Sequence, residues 1–114
     1  HADLLSDNVM LDGDVIQFID FDDGGYGFRL FDLATALVKL IDRPDYEALK
    51  TALLNGYLDV RALDVSAFDL VMALRCVTYV GWIADRLNEP GALERNAKNI
   101  AAARQLVTAY VNQH

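Results

Sequence analysis

Three polar residues near the start of the chain stand at spacings that suit chemistry on phosphate groups. Asp3 and Asn8 lie five residues apart, and Asp20 ends the apolar run that follows them. A phosphoryl transfer needs a group that accepts the proton of the attacking hydroxyl, and it needs oxygen ligands for magnesium. Two carboxylates and a carboxamide provide both kinds of group. The residue types therefore indicate phosphoryl transfer with magnesium.

The sequence between Asn8 and Asp20 predicts a β-hairpin that brings these two side chains together. Apolar runs at 9–11 and 15–19 flank an Asp12-Gly13 pair, which is a strong hairpin signal in this setting. Such a hairpin returns Asp20 to the neighbourhood of Asn8, so both oxygens can meet one metal ion. The carboxylate in the preceding loop is then expected to face the transferred group.

These residues resemble the catalytic core of the aminoglycoside phosphotransferase and choline kinase superfamily, whose members are relatives of the protein kinases. Residues 1–8 read H-A-D-L-L-S-D-N, similar to H-R-D-x-x-x-x-N, and residues 20–22 read D-F-D, similar to D-F-G. The resemblance implies that Asp3 is the catalytic base and that ATP is the phosphoryl donor. It also implies that Asn8 is a magnesium ligand and Asp20 the principal one.

Two further residues are expected to support the loop rather than to react. The stretch Phe31-Asp32-Leu33-Ala34 resembles the superfamily's Y-D-L-A, in which the aspartate opens a helix and hydrogen-bonds the backbone of the catalytic loop. Asp32 is accordingly expected to be structural support, and His1 to shape the loop by packing and hydrogen bonding. Many small-molecule kinases of this group read H-G-D-L-H-x-x-N, and the departures at Ala2 and Leu5 leave the acceptor unassigned.

The segment after the hairpin carries charges with less definite roles. We expect Asp22 and Asp23 to be solvated rather than to assist the metal. Arg29 is expected to pair with a neighbouring aspartate rather than to contact a phosphate or an acidic substrate. The glycines at 24, 25 and 27 match neither a dinucleotide fingerprint nor a P-loop, so a flexible segment is predicted.

Composition limits the kinds of partner. With 114 residues and 54% hydrophobic content, the chain suits a single domain with a core. The formal charge of −7 disfavours nucleic-acid binding, which usually needs a basic patch. The lone cysteine, Cys76, sits in an apolar helical run and is expected to pack in the core. It cannot form an internal disulfide, which favours a reducing, cytoplasmic location.

The rest of the chain predicts helices, so the expected fold class is α+β: a short hairpin carrying the catalytic loop on a mainly helical lobe. Helices are predicted over 31–41, 46–58, 66–87 and 92–111. An apolar stripe marks the second helix, formed by Tyr46, Leu49, Leu53 and Tyr57.

The third helix is expected to open with a capping box of Ser66 and Asp69 and to be the buried centre of the helical part. Arg75 and Asp85 interrupt it too closely for a membrane span, so no membrane partner is expected.

Two aromatic residues of the third helix have two interpretations. Tyr79 and Trp82, with Asp85, form a set that can hold an ammonium by cation–π attraction. The favoured interpretation is that both aromatics are core residues and that Asp85 is a surface charge.

Several parts of a complete kinase site are missing. No Gly-rich cover for the phosphates, and no strand lysine paired with a helix glutamate, is found in residues 1–114. We expect these residues to be one domain, the C-terminal lobe of a longer kinase without its nucleotide-binding N-terminal lobe, and inactive alone. Apolar surface left uncovered on Val9, Met10, Phe18 and the third helix is expected to cause dimerisation or association with the missing part.

The expected activity of the parent protein is transfer of the γ-phosphate of ATP to a hydroxyl of a small molecule, such as an aminoglycoside, a choline-like amino alcohol or homoserine. Alternatives are a protein Ser/Thr kinase of the same superfamily and a magnesium-dependent phosphohydrolase that uses the same aspartates. A third alternative is a helical binding module or pseudokinase. The intact set of Asp3, Asn8 and Asp20 argues against it.

Overall fold

A computed structural model describes all residues 1–114 and shows an antiparallel β-hairpin followed by four helices. The expected α+β fold class is confirmed. The elements are β1 (Val9–Asp12), β2 (Val15–Phe18), α1 (Arg29–Leu37), α2 (Tyr46–Val60), α3 (Phe68–Ala84) and α4 (Ala92–Gln113). Short 3-10 turns lie at Ser6–Asn8 and Val38–Leu40. The chain divides into two compact units, His1–Ser66 and Ala67–His114.

The hairpin forms where the Asp-Gly signal predicts it. Val9 pairs with Phe18 at its open end and Asp12 pairs with Val15 at the turn, which leaves two turn residues. Gly13 is the first of them and has a φ of +59°, a value that favours glycine in hairpin turns of this length. Seven of the eight strand residues are exposed, so the hairpin positions its two ends without contributing a core.

In the first unit, α1 supplies the buried side chains. Its apolar face buries Leu30, Leu33, Ala34 and Leu37, and α1 packs against α2. Thr35 is fully buried, and its hydroxyl donates a hydrogen bond to the carbonyl oxygen of Phe31 at 2.7 Å, so no polar group is left unpaired there. The four stripe residues predicted for α2 are indeed half-buried, although none is fully covered.

In the second unit, α3 and α4 pack against each other. The buried residues are Phe68, Met72, Ala73, Cys76 and Ile83 of α3 with Ala92 and Ala103 of α4. The prediction that Cys76 is a core residue is confirmed, and burial raises the pKa of its thiol. Gly91 precedes α4 with a φ of +72°, the left-handed conformation that allows the chain to turn between the two helices.

Two predictions about α3 are wrong. It is not the buried centre of the helical part, because only one stripe of it is covered: Leu74 is 53% exposed and Trp82 is 54% exposed. Trp82 is therefore not a core aromatic. Its ring is instead covered by the guanidinium of Arg86, 4.0 Å from the ring centroid, and that of Tyr79 by Arg75 at 4.4 Å.

The predicted capping box at the start of α3 is also wrong. The helix begins after Ala67, which makes no side-chain cap hydrogen bond. Ser66 instead donates its backbone N–H to the Asp64 carboxylate at 2.9 Å, an Asx-type turn that competes with capping. This hydrogen bond lowers the pKa of Asp64. None of the four helices combines the length and apolar character needed to cross a membrane.

Candidate active site

The loop before β1 holds Asp3 and Asn8 in direct contact. The side-chain amide of Asn8 donates to the carbonyl oxygen of Asp3 at 2.8 Å and to its Oδ2 at 3.2 Å. Two backbone hydrogen bonds close the same loop, from Leu5 to the Asp3 carbonyl at 2.8 Å and from Asn8 to the Leu5 carbonyl at 2.9 Å. Both side chains are half-buried. The carboxylate of Asp3 is therefore held in place by the loop's own sequence.

These hydrogen bonds also fix which way the carboxamide of Asn8 is turned. Because the amide nitrogen faces the oxygens of Asp3, its Oδ1 is the free end, and it accepts no hydrogen bond from the chain. Oδ1 of Asp3 is likewise free of a partner. The loop thus presents two oxygens that have no partner within the chain, one from an amide and one from a carboxylate.

The hairpin brings Asp20 to the same end as Asn8. The backbone N–H of Ile19 donates to the carbonyl oxygen of Asn8 at 3.0 Å, which places Asp20 one residue beyond the cross-strand partner of Asn8. The Asp20 carboxylate is exposed and has no hydrogen-bond or ion-pair partner. Its φ is +61°, a left-handed conformation that is unfavourable for side-chain-bearing residues but tolerated best by Asp and Asn.

Asp32 ties the loop before β1 to α1. Its Oδ2 accepts a hydrogen bond from the main-chain nitrogen of His1 at 2.8 Å, and its Oδ1 accepts one from Ala2 at 2.6 Å. Both carboxylate oxygens are thus occupied by the loop backbone. Ala2, which stands where many small-molecule kinases of the group have glycine, has a φ of +69° and is also in the left-handed region.

His1 links the loop to the end of β2. Its Nδ1 accepts the backbone N–H of Asp3 at 3.3 Å, and its Nε2 lies 2.8 Å from the carbonyl oxygen of Ile19. The first bond requires an unprotonated Nδ1, so the proton is on Nε2 and is donated to Ile19. The ring also packs on Phe21, with the two ring centroids 4.6 Å apart. The imidazole of His1 therefore connects the loop, through Nδ1, to the end of the hairpin, through Nε2.

Comparison with known proteins agrees with this architecture. The phosphotransferase enzyme family matches residues 1–70, which include the loop before β1, the hairpin, α1 and α2. The chain belongs to this family. The expected relationship to the aminoglycoside phosphotransferase and kinase-like superfamily is therefore confirmed.

One curated relative of this phosphotransferase-family chain is the homoserine kinase of Neisseria meningitidis serogroup B (strain ATCC BAA-335 / MC58). It is 36% identical over 95 residues, which cover 77% of this chain. The chain spans 30% of the length of that relative. No solved structure matches the chain.

The donor set of this phosphotransferase-family site fits magnesium. Asn8 and Asp20 offer hard oxygen ligands, and protein magnesium sites commonly use one or two carboxylates and complete the shell with phosphate oxygens and water. No group of three or more His, Cys, Asp or Glu side chains is arranged to hold a metal ion. Asn8 and Asp20 are the residues that would hold such an ion, with phosphate oxygens and water completing its shell.

A cavity of about 510 Å³ lies beside His1 and Ala2 of the loop before β1, and sequence reasoning missed it. It is lined by His1 and Ala2 and by the Gly-rich segment that was predicted only to be flexible. The predicted ion pair of Arg29 with a neighbouring aspartate is wrong: Arg29 has no partner, and Asp22 and Asp23 are exposed and unpaired as well. The sequence signal that could have indicated the cavity is the mixture of charged and aromatic residues between 22 and 31.

Proposed function

We propose that this chain carries the catalytic loop of an ATP- and magnesium-dependent phosphotransferase that phosphorylates a hydroxyl group of a small molecule. Asp3 is the catalytic base, and Asn8 and Asp20 hold the magnesium. The observation that carries the proposal is the pair of hydrogen bonds from Asn8 to Asp3 at one end of a hairpin that returns Asp20 to that end.

In this proposal Asp3 orients the acceptor hydroxyl and takes its proton. One oxygen of the carboxylate is held by Asn8, so the other is available to the hydroxyl. As the acceptor oxygen forms its bond to the γ-phosphorus, the bond from that phosphorus to the leaving oxygen of ADP breaks, and the hydroxyl proton passes to Asp3. Magnesium, when bound, neutralises charge on the phosphates.

The hydrogen bonds of His1 and Asp32 keep this geometry in place in our proposal. Neither residue is needed to touch a phosphate, because the carboxylate of Asp32 is occupied by the loop backbone and the imidazole of His1 bridges Asp3 and Ile19. Their contribution is orientation, which matters because a small displacement of reacting groups lowers the rate of transfer strongly.

The acceptor in this proposal is a small molecule with a hydroxyl group, and homoserine is the first one to test. The support is the likeness to a protein named homoserine kinase. Aminoglycosides and choline-like amino alcohols belong to the same proposal. The groups that grip the ATP phosphates are proposed to lie in another part of a longer protein, since residues 1–114 contain no Gly-rich cover and no strand lysine.

The test uses the complete protein in which this chain occurs, with ATP and magnesium. ADP formation is measured with homoserine, choline, an aminoglycoside and a peptide mixture, and products are identified by mass spectrometry. The proposal predicts ADP formation that depends on a small hydroxyl acceptor and yields its phosphate ester. Phosphate release at the same rate without any acceptor would indicate a phosphohydrolase, and transfer to peptides alone would indicate a protein kinase.

A further inference from the structure

One arginine beside the catalytic loop has no ion-pair partner. Arg29 is the first residue of α1, its side chain is exposed, and it makes no hydrogen bond or ion pair within the chain. This is unexpected in a chain with 17 acidic and 10 basic residues and with Asp22, Asp23 and Asp32 all within seven positions. The guanidinium is therefore available to a ligand.

The nearest candidate to neutralise Arg29 within the chain is already engaged. Asp32 lies three residues further along α1, but each of its oxygens accepts a main-chain hydrogen bond from the catalytic loop, at 2.8 Å and 2.6 Å. Pairing with Arg29 would compete with those bonds and weaken the attachment of the loop. The use of Asp32 as a loop anchor thus leaves the positive charge of Arg29 uncompensated.

Arg29 lines the cavity of about 510 Å³ beside the catalytic loop. That volume lies in the range of small-molecule sites, which are commonly apolar with a few polar groups. The exposed rings of Tyr26 and Phe28 provide much of the apolar part, so the cavity is open to solvent, and Asp23 provides a free negative charge opposite in sign to Arg29. The lining residues that matter here are Asp23, Tyr26, Phe28, Arg29 and Phe31.

We propose that this cavity binds the acceptor, and that the acceptor is a hydroxy amino acid held by its two charges. Its carboxylate pairs with Arg29 and its ammonium pairs with Asp23, which leaves the hydroxyl for Asp3. This inference rests on the proposed function, because it specifies the acceptor of that same site. His1 and Ala2 of the catalytic loop line the same cavity, so a molecule in it is next to the loop that carries Asp3.

The chemistry favours a carboxylate over a nucleotide phosphate as the ligand of Arg29. A guanidinium presents a planar fork of donors that matches a carboxylate or a phosphate. A triphosphate in this cavity would also face the negative charge of Asp23, whereas a zwitterion has an ammonium group to pair with it. A hydroxy amino acid satisfies both charges at once.

The experiment compares three related acceptors on the complete protein: homoserine, aminopropanol, which lacks the carboxylate, and γ-hydroxybutanoate, which lacks the ammonium. Arg29→Gln should lower the ratio of kcat/KM for homoserine to that for aminopropanol about ten- to hundred-fold. Asp23→Asn should likewise lower the ratio of kcat/KM for homoserine to that for γ-hydroxybutanoate. Arg61→Gln changes an exposed arginine outside the cavity and is the matched control, with both ratios retained.

Calorimetric binding of homoserine provides a readout that does not need transfer. Arg29→Gln should raise the Kd by the same factor, Arg29→Lys should raise it less, and melting curves should show that the variants are folded. Equal Kd values in wild type and Arg29→Gln, or no binding of homoserine to the wild-type protein, would overturn the inference. So would weaker binding of magnesium-ATP with homoserine binding unchanged.

The two proposals fail in different ways. If the protein phosphorylates aminopropanol or choline and neither ratio responds to Arg29→Gln, the acceptor assignment is wrong and the phosphotransferase function stands. If homoserine binds and depends on Arg29, but no acceptor is phosphorylated, the cavity assignment stands and the proposed function is wrong.

Discussion

Asp32 accepts a hydrogen bond from the backbone of Ala2 at 2.6 Å, across thirty positions of sequence. Together with the bond from His1 at 2.8 Å, it fixes the start of the loop before β1 to the first turn of α1. The aspartate in the first turn of α1 therefore also sets the position of the residues just before Asp3. A substitution of Asp32 is therefore expected to change both the free energy of unfolding and the position of the loop that carries Asp3.

Replacing Asp32 by Asn should destabilise the protein by about 1 to 3 kcal/mol, since two backbone donors lose a charged acceptor. The free energy of unfolding, measured in urea, checks this. Asp22→Asn is the matched control, because Asp22 is exposed and without a partner, and it should change little. A midpoint for Asp32→Asn equal to that of the wild type would show that the two hydrogen bonds contribute nothing measurable.

Ala2→Gly should stabilise the chain by roughly 0.5 to 1 kcal/mol. The φ of +69° at Ala2 is unfavourable for a residue with a Cβ, and glycine adopts it freely, which outweighs the greater flexibility of glycine in the unfolded chain. Urea unfolding again provides the measurement. Ala48→Gly, at an exposed helical position of α2, should have the opposite sign. Destabilisation by Ala2→Gly would contradict the strain argument.

Asn8→Ala should weaken the response to magnesium more than the binding of ATP, because it removes a proposed metal ligand and the hydrogen bonds to Asp3. The magnesium concentration that gives half-maximal activity of the complete protein should rise. Asn55→Ala, at an exposed position of α2, is the control. An unchanged magnesium titration in Asn8→Ala would count against the ligand role.

Cys76 should react slowly with thiol reagents while the chain is folded. The residue is buried and burial raises the pKa of its thiol, so the reactive thiolate forms at higher pH than in the unfolded chain. Alkylation rates measured against pH should show a profile displaced to higher pH relative to urea-unfolded chain. Rapid labelling near neutral pH under native conditions would show that the α3 stripe opens readily.

The hairpin and α1 could be predicted from sequence because local signals decide them. Asp12-Gly13 between apolar runs fixed the turn, and the second strand ended at Phe18, one residue short of the expected Ile19. The capping box could not be judged from Ser66 and Asp69 alone, because the competing acceptor, Asp64, lies outside the motif.

Other features depended on relationships that spacing does not reveal. An apolar helix such as α3 has no local mark that separates a covered stripe from an exposed one, so the 54% exposure of Trp82 was unexpected. Arg29 has several acidic neighbours in sequence, but the nearest along the helix, Asp32, is engaged by a loop thirty residues away. The cavity exists only because the start of the chain, the Gly-rich segment and the first turn of α1 meet in the fold.

The most direct measurement of the central claim is the single-turnover rate of phosphoryl transfer by Asp3→Asn in the complete protein, with ATP, magnesium and a saturating acceptor. The rate should fall by roughly a hundred- to ten-thousand-fold, the usual contribution of a general base. Asp7→Asn, a change of an exposed aspartate in the same loop, should retain the wild-type rate. A folded Asp3→Asn variant that transfers phosphate as fast as the wild type would contradict the assignment of Asp3 as the base.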